Sequence, residues 1–214
     1  MKKLNKSFVL FMLSAIILTG CGTTQLQTRA KLTRTITLDK SKKQNRNIYV
    51  QVSNIAGSGG ENLKLYDDLK TKLQAKGYTL VTSSKDASYG LFVNVLFANN
   101  LKEANAIKSA VSSGVLAGGS TAIGGGSGSS SLIVGALAAL GGGIIGSAME
   151  DDIFRAVIDV EIRDYKIKDA KIDNTNYNKY LTRVFIEAVR MNLKLNEALP
   201  ILSSKASTEI SNLF

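Results

Sequence analysis

Few residues in this chain could do covalent chemistry, and Cys21 is the one whose surroundings say what it would do. It is the only cysteine among 214 residues, and the chain has no histidine and no tryptophan. Without histidine, serine-based catalysis lacks its usual base; a Ser–Lys pair stays open, but nothing in the sequence singles one out. Carboxylates cluster at Asp67-Asp68 and at Glu150-Asp151-Asp152. The first suits an exposed helix face better than an acid–base pair. The second suits the border of an apolar segment better than a metal site. The run GGGSGSSS at 124–131 is followed by no Gly-Lys-Ser/Thr, so a turn explains it better than a phosphate-binding loop. No catalytic, cofactor-binding or metal-ligating residue is assigned, and a protein without enzymatic activity is expected.

Cys21 has a covalent chemistry of its own. Lys2, Lys3 and Lys6 form a positive n-region, Phe8 to Leu18 an apolar stretch of signal-peptide length, and Leu18-Thr19-Gly20-Cys21 closes it. That ending resembles the bacterial lipobox. Small residues let the chain enter a signal peptidase, and the thiol carries a diacylglycerol thioether. Residues 1–20 are therefore read as a lipoprotein signal peptide and Cys21 as the lipidation site. The covalent lipid is the only non-protein group expected. In lipoproteins the new amino group is commonly acylated as well, typically with palmitate. Each buried methylene contributes about 0.8 kcal/mol, so two or three chains anchor where one would not. Gly22 rather than aspartate follows the cysteine, so the inner-membrane retention signal is absent and the outer membrane is the expected address.

Charge excludes little but directs attention. There are 27 basic and 17 acidic residues, a net charge of +10. Without Lys2, Lys3 and Lys6 the basic count is 24 and the charge +7. Most of it is scattered, with one short cluster at Lys40, Lys42, Lys43 and Arg46. Scattered charge describes a solvated surface, so nucleic acid is not an expected partner; membrane lipid is, through the acylated Cys21.

The elements that must position these residues follow from periodicity. Residues 21–46 read as a lipidated tether, with a short strand possible at 33–38. Residues 47–108 form the first half of a domain: a strand at 47–55, a helix at 61–76 with Leu63, Tyr66, Leu69 and Leu73 on one face, and strands at 78–83 and 89–97. Gly77 is placed to stop the helix. Residues 150–214 form the second half. In 153–165, Phe154, Ala156, Ile158, Val160 and Ile162 alternate with Arg155, Asp159, Glu161 and Arg163, which predicts a sheet with one buried face. A polar turn at 168–176, a strand from Tyr180 to about Leu193 and an amphipathic helix at 196–213 complete it. Tyr49, Tyr66, Tyr78 and Tyr89 are assigned to core and interface packing. The fold class is α+β: a mixed sheet with packed helices in the order β-α-β-β, an insertion, then β-β-α.

The insertion, residues 109–149, has no charge at all. Small residues recur every four positions in both arms, at Ala110, Gly114, Gly118 and Ala122, and at Gly135, Ala139, Gly143 and Ser147. Such a stripe lets helices pack closely in membranes. A flexible linker and a buried soluble hairpin compete with that reading. A glycine-rich transmembrane helical hairpin fits best, since each arm would span roughly 24–28 Å. Close packing of hairpins from several chains predicts a homo-oligomer.

The sequences KLQAKGYTLVTSSKDASYGLFVNVL (72–96), GSAMEDD (146–152) and YLTRVFIEAVRMNLKLNEALPIL (180–202), in this order behind a lipobox, carry a family resemblance. The chain resembles the TraT-type lipoproteins of Gram-negative bacteria, the complement-resistance and surface-exclusion proteins of conjugative plasmids. The resemblance implies a surface-exposed, oligomeric, non-catalytic outer-membrane lipoprotein. Its implied partners are donor-cell conjugation surface components or complement proteins. An envelope structural, pore-forming or plugging oligomer without an exclusion role is the alternative.

Overall fold

A computed structural model describes residues 25–38, 45–57, 59–100, 151–168 and 171–214. In chain order the elements are β1 (Gln27–Leu32), β2 (Asn47–Asn54), α1 (Leu65–Ala75), β3 (Thr79–Val81), β4 (Tyr89–Asn100), β5 (Asp151–Lys168), β6 (Lys171–Met191) and α2 (Leu195–Ser211). Single turns of 3-10 helix stand at Gly60–Asn62 and Ser84–Asp86. All six strands join one sheet in the order β1-β6-β5-β4-β2-β3. The long strands β4, β5 and β6 and the edge strand β1 run antiparallel, while β2 lies parallel to both β3 and β4.

Local sequence explains the boundaries. The helix α1 buries Leu65, Leu69 and Leu73, a spacing of four that holds one stripe against the sheet. Asp67 and Asp68 lie in its first turn and Lys72 in its last, the arrangement the helix dipole favours. Gly77 ends it with φ of 82°, a left-handed conformation that side chains with a Cβ rarely adopt. The helix α2 carries Pro200 in its second turn and buries Ala198, Leu202, Ala206 and Ile210. These two helices cover one face of the sheet. There Ile48, Leu91, Val93, Val95, Ile158, Val160, Ile162, Val184 and Ile186 are at most 2% exposed and belong to one apolar cluster. A β-bulge in β4 between Val95 and Phe97 switches the alternation. Ala98 then joins this core, and Phe97 falls outside it. Tyr78, Tyr89 and Phe214 close the far end, their rings edge-on to one another at centroid distances of 5.5 to 6.1 Å.

The structure corrects the expected fold class. A domain of mixed sheet and packed helices broken by a transmembrane hairpin was expected. Strands instead dominate, in one curled, half-barrel sheet with two α-helices, and among the described residues no helix is long and apolar enough to cross a membrane. The hairpin expectation rested on absent charge, arm length and small-residue spacing, none of which by itself makes a helix form. Glycine's helix penalty of about 1 kcal/mol per residue works against it. The segment 109–149 itself lies outside the described residues.

Two further differences concern strand boundaries. The polar stretch expected as a long turn is the end of a β-hairpin: β5 continues to Lys168 and β6 begins at Lys171. Polar residues there keep pairing because strand propagation across a hairpin needs register, not hydrophobicity. The strand considered at 33–38 lies instead at Gln27–Leu32, against β6. Thr33 and Arg34 continue that contact through Thr182, whose hydroxyl donates to the Arg34 carbonyl at 2.9 Å. Leu38 is 6% exposed and part of the core.

Candidate functional site

The residues assigned from sequence are not brought together by the described structure. Cys21 and the stripe residues Ala110, Gly114, Gly118, Ala122, Gly135, Ala139, Gly143 and Ser147 lie outside the described residues. Of the carboxylates, Asp67 is exposed, while Asp68 accepts a hydrogen bond from the Ser203 hydroxyl and ties α1 to α2. Asp151 is buried at the start of β5. Among the described residues no three His, Cys, Asp or Glu side chains are grouped to hold a metal ion.

The side chains that do come together lie on the face of the sheet away from the helices. In β5 the odd-numbered residues point there, and two of them, Arg155 and Asp159, stand opposite residues of opposite charge in β6. Arg155 Nε donates to Glu187 Oε2 at 2.7 Å, and Arg183 reaches both oxygens of Asp159, at 2.5 and 2.9 Å. Glu161 receives Arg163 Nε at 2.6 Å and faces Lys179 Nζ at 2.9 Å. The ladder grows wetter toward the hairpin turn. The Arg155–Glu187 side chains are 4% and 3% exposed, Arg183–Asp159 8% and 12%, and Arg163, Glu161 and Lys179 32%, 17% and 38%.

Aromatic rings surround the wet end of this ladder. The Arg163 guanidinium lies 4.2 Å from the centre of the Phe92 ring and 5.1 Å from that of Tyr177. Tyr177 meets Tyr165 edge-on at 5.7 Å, and Tyr49 tilts against Phe92 at 5.9 Å. Gly90, opposite Arg163 in the register, makes this possible. A Cβ there would stand 2.8 Å from both Phe92 Cε2 and the Tyr165 hydroxyl. Burial would push the Glu161 carboxyl up. Hydrogen bonds from Lys179 and Arg163, with their charges, outweigh it and hold the carboxyl below its ordinary range. Burial pushes the Tyr165 hydroxyl up, and the Arg163 charge only partly offsets this. Burial works against the Arg163 cation, but its bond to Glu161 raises its pKa nonetheless.

This cluster presents rings, a guanidinium, an ammonium and a carboxylate to solvent on a rigid sheet. Its chemistry is recognition by stacking and charged hydrogen bonds. Sequence reading put Arg155, Asp159, Glu161 and Arg163 on a solvated face and missed their pairing. The signal was present: reflecting the chain about residue 171 sets Arg155 on Glu187 and Asp159 on Arg183. Of the four tyrosines singled out, Tyr78 and Tyr89 are in the core, Tyr49 belongs to the cluster, and Tyr66 is 44% exposed.

Comparison with known proteins decides the family. The family model described as "Enterobacterial TraT complement resistance protein" matches residues 25–174 and 165–214. The chain belongs to the TraT family. Proteins named TraT complement resistance protein in Escherichia coli are 27% identical over 94% of this chain and 94% of their own length, and 28% identical over the whole of both chains. One from Escherichia coli strain K12 is 27% identical over all of this chain and 99% of its own. A solved structure, a dodecamer of a PelC variant from Paraburkholderia phytofirmans, aligns at 10% identity over 88% of this chain and 97% of that one. Its TM-score is 0.33.

Proposed function

We propose that this TraT-family chain is a non-catalytic lipoprotein of the outer-membrane surface that protects the cell through contact. The family match across every folded element supports the reading, joined to Leu18-Thr19-Gly20-Cys21 at the expected lipidation point. Relatives of full-length similarity are named for complement resistance. Interference with complement assembly and with mating-pair formation both require an abundant, outward-facing surface and no chemistry. The Arg163–Phe92–Tyr177 cluster suits such contact with complement proteins or with donor-cell conjugation components. The lipid on Cys21 holds the chain in place, and self-association is part of the reading.

Expression in a serum-sensitive, plasmid-free Escherichia coli strain tests it. Serum survival should rise and recipient ability in conjugation should fall relative to cells with an empty vector. Cys21→Ala behind a conventional export signal should abolish both while leaving the chain folded in the periplasm. Unchanged serum killing and unchanged mating, with the acylated protein shown at the surface, would refute the proposal. Mass measurement of the detergent-extracted protein tests self-association separately.

A further inference from the structure

Large apolar side chains exposed one at a time are ordinary on protein surfaces. In this chain their placement is not. Among the described residues the exposed ones are Leu26, Ile55 and Tyr66, at 41%, 46% and 44%. They are far apart in sequence, yet the topology gathers them at one end of the sheet. Leu26 precedes Gln27, which pairs with Val189 near the end of β6. Ile55 follows β2, its N–H bonded to the Val95 carbonyl at 2.9 Å. Tyr66 lies in the first turn of α1. That turn is held to the same end because the Asn54 amide donates to the carbonyls of Gly60 and Glu61. The opposite end of α1 leads through Gly77 to β3, beside the start of β2.

Two features of the covalent chain converge on this pole. Leu26 is five residues from Cys21. The chain also leaves the sheet here at Asn100 and returns at Asp151, paired with Met191, across a segment uncharged from Ser109 to Met149. Exposed charges around the pole are of both signs: Lys64 and Lys194, with Glu61, Asp67 and Glu197, the last paired with Arg190.

We propose that this pole is a lipid-contacting surface, with Leu26, Ile55 and Tyr66 seated at the headgroup boundary of a phospholipid bilayer. The inference rests on the lipoprotein reading above and adds an orientation to it. A tyrosine at the same end as two aliphatic side chains is suited to that boundary, where one side of a residue is apolar and the other wet. The mixed charges make the contact independent of anionic lipid. With the pole down, β5 rises away from the bilayer for roughly 60 Å, at about 3.3 Å per residue. The Arg163 cluster then stands in its outer third, clear of the headgroups and open to another cell or to serum proteins.

Single cysteines at Leu26, Ile55 and Tyr66, and at Asn176 near the hairpin turn as the distal control, provide the test. Each would be introduced into the full acylated chain, whose Cys21 thiol is consumed by its thioether. Labelled with an environment-sensitive fluorophore, they would be reconstituted in phosphatidylcholine vesicles containing brominated lipid. Ile55 and Tyr66 decide the outcome, because Leu26 stays near any anchor. Quenching severalfold stronger at 55 and 66 than at 176, unchanged when phosphatidylglycerol is added, is the expected result. Quenching at 55 and 66 no greater than at 176 overturns the proposal, as does quenching that appears only with phosphatidylglycerol. The mass of the chain reports acylation independently. An acylated, vesicle-bound chain with aqueous labels defeats the orientation alone, whereas a chain exported without acyl groups defeats the lipoprotein reading.

Discussion

From Phe154 to Val160 both faces of β5 are withdrawn from water, by opposite means. Toward the helices Phe154, Ala156, Ile158, Val160 and Ile162 are at most 4% exposed and pack as one apolar layer. On the other face Arg155, at 3%, and its neighbours are satisfied by charges from β6. The two faces specify different things. Shifting β5 against β6 by one residue would turn the apolar set to the wrong side. Shifting by two would keep every apolar residue on its face, so the apolar pattern cannot forbid it. Such a shift would set Arg155 opposite Phe185 or Val189 and Asp159 opposite Leu181 or Phe185, leaving buried charges unpaired. The helix side thus supplies burial, and the ion pairs supply register.

The largest expected effect comes from breaking that division at its driest point. Arg155→Met leaves the Glu187 carboxylate buried without its ion-pair partner and should cost about 3–5 kcal/mol. Replacing both, as Arg155→Met with Glu187→Leu, should recover most of the loss, because a buried pair often breaks even against apolar residues of similar size. Urea unfolding of the two variants measures this. If the double variant is no more stable than the single, the pair does not act as a unit. If the double variant also shows more than one hairpin register by NMR, the specificity role is established separately from stability.

A second test lies where the ladder meets the rings. Gly90→Ala would place a methyl group 2.8 Å from Phe92 Cε2 and from the Tyr165 hydroxyl. Tyr165 is 2% exposed and has little room to yield. Overpacking of this kind costs about 1–3 kcal/mol. A neutral result would mean that the charged face is loosely assembled at its outer end, unlike the helix side. Tyrosine fluorescence would show the accompanying shift of Tyr165 and Tyr177.

The same contrast separates what was legible in the sequence from what was not. Period-2 alternation in 153–162 named the core face of β5 correctly, and helical spacing placed Leu69 and Leu73 in the buried stripe of α1 but gave Tyr66 the place that Leu65 takes. Both signals are local and depend only on side-chain direction. The pairing of Arg155 with Glu187 was not legible locally, since a charged residue on an alternating strand reads as solvated until its partner 32 residues away is placed. Strand continuation past Tyr165 was missed for a related reason: polar residues pair there because the hairpin is already in register. The bulge at Val95–Phe97 left no composition signal at all. The expected fold class failed on the share of strand, because β5 and β6 run to 18 and 21 residues where shorter strands and a long turn were expected.

The smallest expected effects belong to the exposed end of the ladder, and they show whether exposure sets the strength of each pair. Lys179→Ala removes a partner that is 38% exposed and should cost only about 0.2–1 kcal/mol, falling further at high salt. Acid reads the same site through Glu161. Its folded pKa lies below the ordinary value of 4.5, so its stabilisation is present above that value and is lost as pH falls through the depressed folded pKa. The burial-raised hydroxyls of Tyr78 and Tyr165 act with the opposite sign. Their contribution is complete below pH 10, their ordinary value, and is lost as pH rises through their folded values. Lys179→Ala should therefore shrink the acid-side loss, because Glu161 keeps only Arg163 to hold its carboxyl down, and should leave the alkaline side unchanged. Denaturant midpoints between pH 3 and 11 in low and high salt measure both limbs. A Lys179→Ala cost as large as that of Arg155→Met would show that burial does not grade the ladder.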